Sequence, residues 1–484
     1  MQYSRRRLAA SVSFTALVAA VGAFAVPLQV NAQTPVLAKA KPARLNYKET
    51  RLKNGLKVIT LEDHSAPVVT VQVWYRVGSK DEPQGQSGFA HLFEHLMFKG
   101  SANVGPEQHA RYVESLGASY NAGTSFDHTA YFETVPSNAL ERMLFLEADR
   151  MTSLRVDEAN LKSERDVVKE EYRLRVANAP YGNLLTDVLK QTYPVGHPYN
   201  HATIGSIPDL DAATLAQVRA FHDQYYRPDN ATLVLVGDFK TGDTLKMVEK
   251  YFGAVPKSPT GKFDRIPAAP AFQAAETRQT YYDQKAPLPM VGMAYRVPAP
   301  TDPDAPVFEV ISQILSTGQS SRLYRSLVRD KQVAATAAGI NLDLQLGGMY
   351  LFFGVANAGK SPGAVEAALA EEVERLRNTP VSEAELAKAK NQALTGEVFG
   401  LVSTEAKANA LGEADTVEGD AGEVNKAYEK LTKVTAADVQ RVAKKYFASD
   451  QRNVFYVLPA SMNPANTPAK TGAANTTPAL KEVK

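Results

Sequence analysis

Two stretches of this 484-residue chain repeat each other at one offset, and that repetition limits the folds open to it. Ala66-Pro67-Val68 through Tyr75-Arg76-Val77 aligns without gaps to Ala286-Pro287-Leu288 through Tyr295-Arg296-Val297, 220 residues later. A second pair falls near the same offset. Leu210–Leu215, Val218, a Tyr-rich end and the strand Ala231–Val236 are echoed by Val434–Val439, Val442, Tyr446, Phe447 and the strand Asn453–Val457. Repetition at one long period implies two copies of one architecture. The chain therefore divides into related halves, 46–260 and 275–460, joined by a Pro-, Ala- and Gly-rich linker at 261–274. Period-two alternation predicts strands over 58–61, 68–75 and 130–134. Helical periodicity covers 88–98, 107–116, 139–152 and 157–176, the last capped by Asp157. Strands and helices do not alternate strictly. Each half is thus expected to be α+β, a largely antiparallel sheet packed with helices.

The chemistry concentrates in the first half. His91-Leu92-Phe93-Glu94-His95 reads H-x-x-E-H, the inverse of the H-E-x-x-H zinc motif. Residues four apart share a helix face, so His91 and His95 can reach one ion. Glu94 can act on a water there without binding the ion. Phe89, Leu92, Phe93, Leu96, Met97 and Phe98 surround the motif and imply a mostly buried helix. Two unpaired His and an acid would be costly in such a place, and a metal removes that cost. The competing reading is a surface helix that carries these residues by coincidence. All eight His lie between His64 and His222, and the matching segment of the second half, Val310–Leu315, has no His and no acid. Metal chemistry belongs to the first half alone.

A catalytic zinc usually takes three protein ligands and keeps one position open. The helix after Asp157 offers Glu158, Glu164, Asp166, Glu170 and Glu171. Glu164 and Glu171 share a face, whereas Glu170 points about 100° away from Glu171. The pattern favours Glu171 as ligand, with Glu164 placed to orient a ligating His. The alternative is a solvated face salt-bridged to Lys162, Arg165, Lys169 and Arg173. His197 and His201, in a turn-rich loop with Gly205, lack ligand spacing and read as structural. His128 suits substrate contact and a satisfied strand His equally. Gly318, Ser320 and Ser321 lack the Gly-Lys pattern of a phosphate loop.

Arg5–Arg7, an apolar run from Leu8 to Leu28 and Val30-Asn31-Ala32 form a signal peptide over 1–32, and the arginines also resemble a twin-arginine export signal. Residues 33–45 read as a flexible arm and 461–484 as a disordered tail. The absence of cysteine fits an exported protein without disulfides. A net charge of +2 gives no ground for a nucleic-acid partner. The mature chain is expected to be periplasmic or secreted, with no membrane span.

Phe89–Gly100 closely resembles the metal helix of the pitrilysin/insulysin family of inverzincins, nearest the branch that includes mitochondrial processing peptidase. Glu164-Arg165-Asp166-Val167-Val168-Lys169-Glu170-Glu171 resembles the family's E-R-x-V-V-x-x-E segment and puts Glu171 76 residues after His95. Tyr120–Thr129 resembles its substrate-holding edge strand. The resemblance covers about 46–460 and implies a clamshell half-chamber and an endopeptidase for unfolded peptides. It implies one Zn2+ per chain on His91, His95 and Glu171, Glu94 as the catalytic residue, and substrate contact at Asn121, Ala122 and Thr124. Family members usually carry an Arg and a Tyr in the second half, after a segment like Ser320-Ser321-Arg322-Leu323. Here those positions fall on Val328 and Ala335, or on Arg329 and Thr336, and the Tyr is missing. The resemblance therefore implies a heterodimer with a related chain that brings the Arg/Tyr pair, or otherwise a homodimer. A non-catalytic peptide-binding subunit and a small-molecule hydrolase are the rival readings.

Overall fold

A computed structural model describes residues 41–261, 263 and 275–466. The first sheet holds β1 (Lys48–Arg51), β2 (Lys57–Glu62), β3 (Val68–Tyr75), β4 (Ser119–Thr124), β5 (Thr129–Pro136) and β6 (Ala231–Gly237), in the order β1-β2-β6-β3-β5-β4. The second holds β7 (Thr277–Asp283), β8 (Met290–Arg296), β9 (Ala334–Leu342), β10 (Met349–Ala356) and β11 (Arg452–Pro459), in the order β7-β11-β8-β10-β9. Apart from the extra edge strand β1, the two orders match strand for strand. Each sheet has one parallel pair, β2 with β6 and β7 with β11, and is otherwise antiparallel. β6 and β8 are buried along their whole lengths, as central strands covered on both faces must be.

Helices cover one face of each sheet. In the first half these include α1 (Phe89–Leu96), α2 (Leu140–Ser153), α3 (Glu158–Tyr172) and, beyond α4 (Leu184–Thr192), α5 (Leu215–Tyr225). Val69, Val71, Val73 and Tyr75 of β3 pack with Leu92, Phe93, Leu144 and Phe221. The second half places α6 (Ala305–Leu315) and, after α7 (Thr404–Glu413), α8 (Ala436–Tyr446) on its own sheet. α5 and α8 open on equivalent capping boxes, Thr214 with Gln217 and Thr435 with Asp438. The repeat thus extends to single hydrogen bonds.

The other face of each sheet is covered by the opposite half. Leu184, Val188 and Leu189 of α4 pack with Met290, Ala294, Phe455 and Val457. Ala408 and Leu411 of α7 pack with Ile59, Trp74, Val234 and Val236. Each sheet buries two apolar faces, and one half supplies helices for only one of them.

The helices predicted over 88–98, 107–116 and 139–152 are found within two residues of those bounds, and the predicted helix 157–176 is α-helical only to Tyr172 before widening into a π turn at Arg173–Ala177. Within the expected flexible arm, Leu45 is buried and exchanges two hydrogen bonds with Asn425, at 2.8 and 3.1 Å. Its side chain joins the apolar cluster that α7 forms with Ile59, Trp74 and Val236 of the first sheet. The segment expected to be a signal peptide, most of the expected arm and linker, and the chain beyond Asn466 lie outside the described residues.

Candidate metal centre

The metal helix α1 is fixed at both ends. Gly88 precedes it at φ 99°, and a Cβ on Gly205 would lie 2.4 Å from the Gly88 Cα, so both positions require glycine. Glu82 accepts hydrogen bonds from the Gly88 and Ala90 amides, each at 2.9 Å, which places a carboxylate at the positive end of the helix. His201 Nε2 lies 2.9 Å from the same acid. At the other end the buried Tyr131 hydroxyl donates to the Phe93 carbonyl at 3.1 Å, tying α1 to β5.

α1 packs against α3 and β4. That contact brings His91, His95 and Glu171 together, with one ligand atom from each lying within 4.8 Å of the others. Glu171 Oε2 is 3.5 Å from His91 Nε2 and 3.4 Å from His95 Nε2. Ligand atoms around a tetrahedral zinc with bonds of about 2.0–2.1 Å stand about 3.4 Å apart, so both Glu171–His separations match that ion and the donor types suit it. Glu164, 3% exposed, reaches His95 Nδ1 with Oε2 at 3.5 Å, while His95 Nε2 faces Glu171. Glu94 is half-buried on the same helix, and its charge acts on both imidazoles.

The electrostatics suit a cation. Burial holds His91 below its usual range and neutral. Burial also opposes charge on His95, but Glu164 and Glu171 outweigh it and raise the ring to about 9. Glu171 falls to about 2, because His95, His91 and Arg175 overcome its own desolvation.

Among the described residues β4 pairs only with β5, which leaves its other edge without a strand partner there. Asn121 is exposed and Ala122 half-buried, but the Thr124 side chain is buried. Any contact from Thr124 to a ligand on this edge must therefore come from its main chain. His128 is half-buried, lies with Nδ1 3.1 Å from Ser125 Oγ and packs its ring 4.7 Å from Trp74. His197 stacks on Tyr193. Both have structural surroundings.

A second group, His109, Glu133 and Glu147, is fully buried. Arg150 engages both oxygens of Glu147, and burial together with Glu147 holds the Glu133 carboxyl well above its ordinary range. A guanidinium already supplies the positive charge there. In the second half, Val328 sits in a π turn and Ala335 is exposed at the start of β9, while Arg322 is held by both oxygens of Glu385, at 2.8 and 2.6 Å.

Glu82 and Lys99 are not legible from spacing, and Arg175 is legible only relative to Glu171. Lys99 Nζ lies 3.0 Å from Glu164 Oε1, and Arg175 Nη1 lies 2.6 Å from Glu171 Oε1. Only the i,i+4 step from Glu171 to Arg175 is a local signal.

Comparison with known proteins agrees with this architecture. Residues 57–206 match the family described as insulinase (peptidase family M16), and residues 212–393 match the peptidase M16 inactive domain. Zinc protease PqqE of Helicobacter pylori is 31% identical over 416 residues, covering 85% of this chain and 93% of that protein. A crystal structure of a protease from Helicobacter pylori has a TM-score of 0.81 at 30% identity, covering 86% of this chain and 100% of that one. A probable beta subunit of mitochondrial-processing peptidase from Arabidopsis thaliana is 26% identical over 406 residues, 82% of this chain and 75% of that one. The chain belongs to peptidase family M16, the family its metal-helix segment resembles.

Proposed function

We propose that this chain is an exported zinc endopeptidase that hydrolyses unfolded peptides, with His91, His95 and Glu171 holding one ion. The convergence of their three ligand atoms on α1 and α3, with α1 packed against β4, a strand with one edge unpaired among the described residues, carries the reading. A bound zinc supplies Lewis acidity, which polarises a carbonyl and makes water a nucleophile near neutral pH. An extended peptide adds to β4 as a further strand along Asn121, Ala122 and Thr124, held by main-chain bonds that tolerate many sequences. Glu94 takes a proton from the attacking water as the new C–O bond forms. It returns that proton to the amide nitrogen as the C–N bond breaks. Glu164 keeps the His95 ring oriented throughout.

Val328 and Ala335 provide neither the Arg nor the Tyr that the resemblance leads one to expect. This favours a heterodimer in which a related chain brings the pair, with a homodimer as the alternative. It also favours one second reading, a non-catalytic peptide-binding subunit. The signal-like N-terminus and the lack of cysteine support periplasmic or extracellular residence. Among the described residues no helix is long and apolar enough to cross a membrane.

The test is cleavage of an unfolded peptide by zinc-loaded protein, alone and with a related chain bearing the Arg/Tyr pair. Turnover only in the mixture, lost in Glu94→Gln, supports a divided site. Turnover by this chain alone removes the need for the partner. Bound zinc without turnover in either case moves the reading to the binding subunit.

A further inference from the structure

The two acids of the metal centre are divided in the same way. Glu164 turns Oε2 to His95 Nδ1 at 3.5 Å, while its Oε1 is taken by Lys99 Nζ at 3.0 Å and by the Ser163 hydroxyl at 3.0 Å. Glu171 turns Oε2 to both imidazole Nε2 atoms, while its Oε1 is taken by Arg175 Nη1 at 2.6 Å. Each acid therefore has an inner oxygen facing the histidines and an outer oxygen held by a cation.

The two cations are delivered differently. Lys99 lies in the turn after α1, where its amide bonds to the Leu96 carbonyl at 3.0 Å. Its own carbonyl accepts from Asn160 Nδ2 at 3.3 Å, which ties it to the start of α3. A second acid, Glu107, sits 2.6 Å from its ammonium. Arg175 rises from the π turn that ends α3, one turn beyond Glu171. Lys99 is 22% exposed and Arg175 53%, so the lysine pair is the better shielded from water.

We propose that Lys99 and Arg175 are positioning residues of the metal centre. By holding the outer oxygens, they make Glu171 a one-oxygen ligand and keep Glu164 aimed at His95. The consequence is chemical. A Glu171 that offered both oxygens would fill the coordination position that water and a substrate carbonyl need. A Glu164 free to rotate would leave the His95 ring without its orienting acceptor. The inference rests on the proposed His91–His95–Glu171 ligand set.

The test is competition for zinc between the full chain and a chelating dye. It would use the wild type, Lys99→Met, Arg175→Met and the conservative variants Lys99→Arg and Arg175→Lys. Thermal unfolding of the metal-free proteins would check that each folds. Lys99→Met is expected to weaken zinc binding about tenfold, the usual effect of losing an outer-shell partner, and Lys99→Arg to restore most of it. Arg175→Met is expected to cost less affinity. It should also weaken the visible absorption of the cobalt-substituted protein, as a four-coordinate ion gains a fifth ligand, and Arg175→Lys should reverse this. Wild-type binding with unchanged affinities and spectra in folded variants overturns the positioning role and leaves the ligand set standing. A wild type that binds no zinc overturns both.

Discussion

Glu94 and Glu171 are half-buried acids near the same two imidazoles, yet they are placed differently, and the proposed mechanism gives them different work. Glu171 approaches from a second helix with one oxygen between the rings, whereas Glu94 shares the helix of the rings and acts on them through its charge. Glu94→Gln should therefore cut peptide hydrolysis by about 10²- to 10⁴-fold while leaving the zinc content measured by elemental analysis intact. Loss of zinc along with activity would show that Glu94 helps to hold the ion instead. His91, Glu94 and His95 are legible in the sequence because three- and four-residue spacing on one helix is a local property. Glu171 is only half legible. Its seven-residue relation to Glu164 marks a face, but nothing local says what that face meets. Nothing local marks Lys99, which meets Glu164 only because α3 packs against α1.

At the scale of elements, α7 shows how one helix of the second half is held on the first sheet. Gly412 sits on the Trp74 indole, where an added Cβ would lie 2.2 Å from Nε1. One turn on, Asp415 is 1% exposed and is bound by Lys57, Arg76 and Thr232 at 2.7 Å. Asp415→Ala removes the buried carboxylate that Lys57 and Arg76 share, leaving Lys57 with Glu49 at 2.9 Å and Arg76 with Thr232 at 3.0 Å, and should lower unfolding free energy by about 3 kcal/mol in denaturant titration. A loss below about 1 kcal/mol would mean that water replaces the carboxylate. Near the start of α7, Lys407 pairs with Asp63, and the ammonium together with Ser65 holds the Asp63 carboxyl down from 3.8 to about 2. The folded-state value lies below the unfolded one. The stability from this pair is thus complete above about pH 4 and is lost as pH falls toward about 2. About 1 kcal/mol is at stake for a partly exposed pair. Lys407→Met should flatten this part of a Tm-against-pH series, and an unchanged slope would assign the acid loss to other carboxylates.

For the whole molecule, the exchange of helices makes the halves interdependent. Without α7, the first half would expose Ile59, Trp74, Val234 and Val236, and without α4 the second would expose Met290, Phe455 and Val457. Residues 41–260 and 275–466 made separately should bind a hydrophobic dye and aggregate. Made together they should assemble into a soluble pair. A soluble, cooperatively unfolding first half would show that its own helices suffice. The sequence by itself determined the repeat, the α+β character of each half and the two histidines with their neighbouring acid. Those depend on periodicity and on contacts within a few residues. Tertiary structure decided which acid meets the histidines, which cations hold those acids, and that each sheet takes its second layer from the other half. Residues far apart in the chain carry no mutual signal until burial of both sheet faces forces them together.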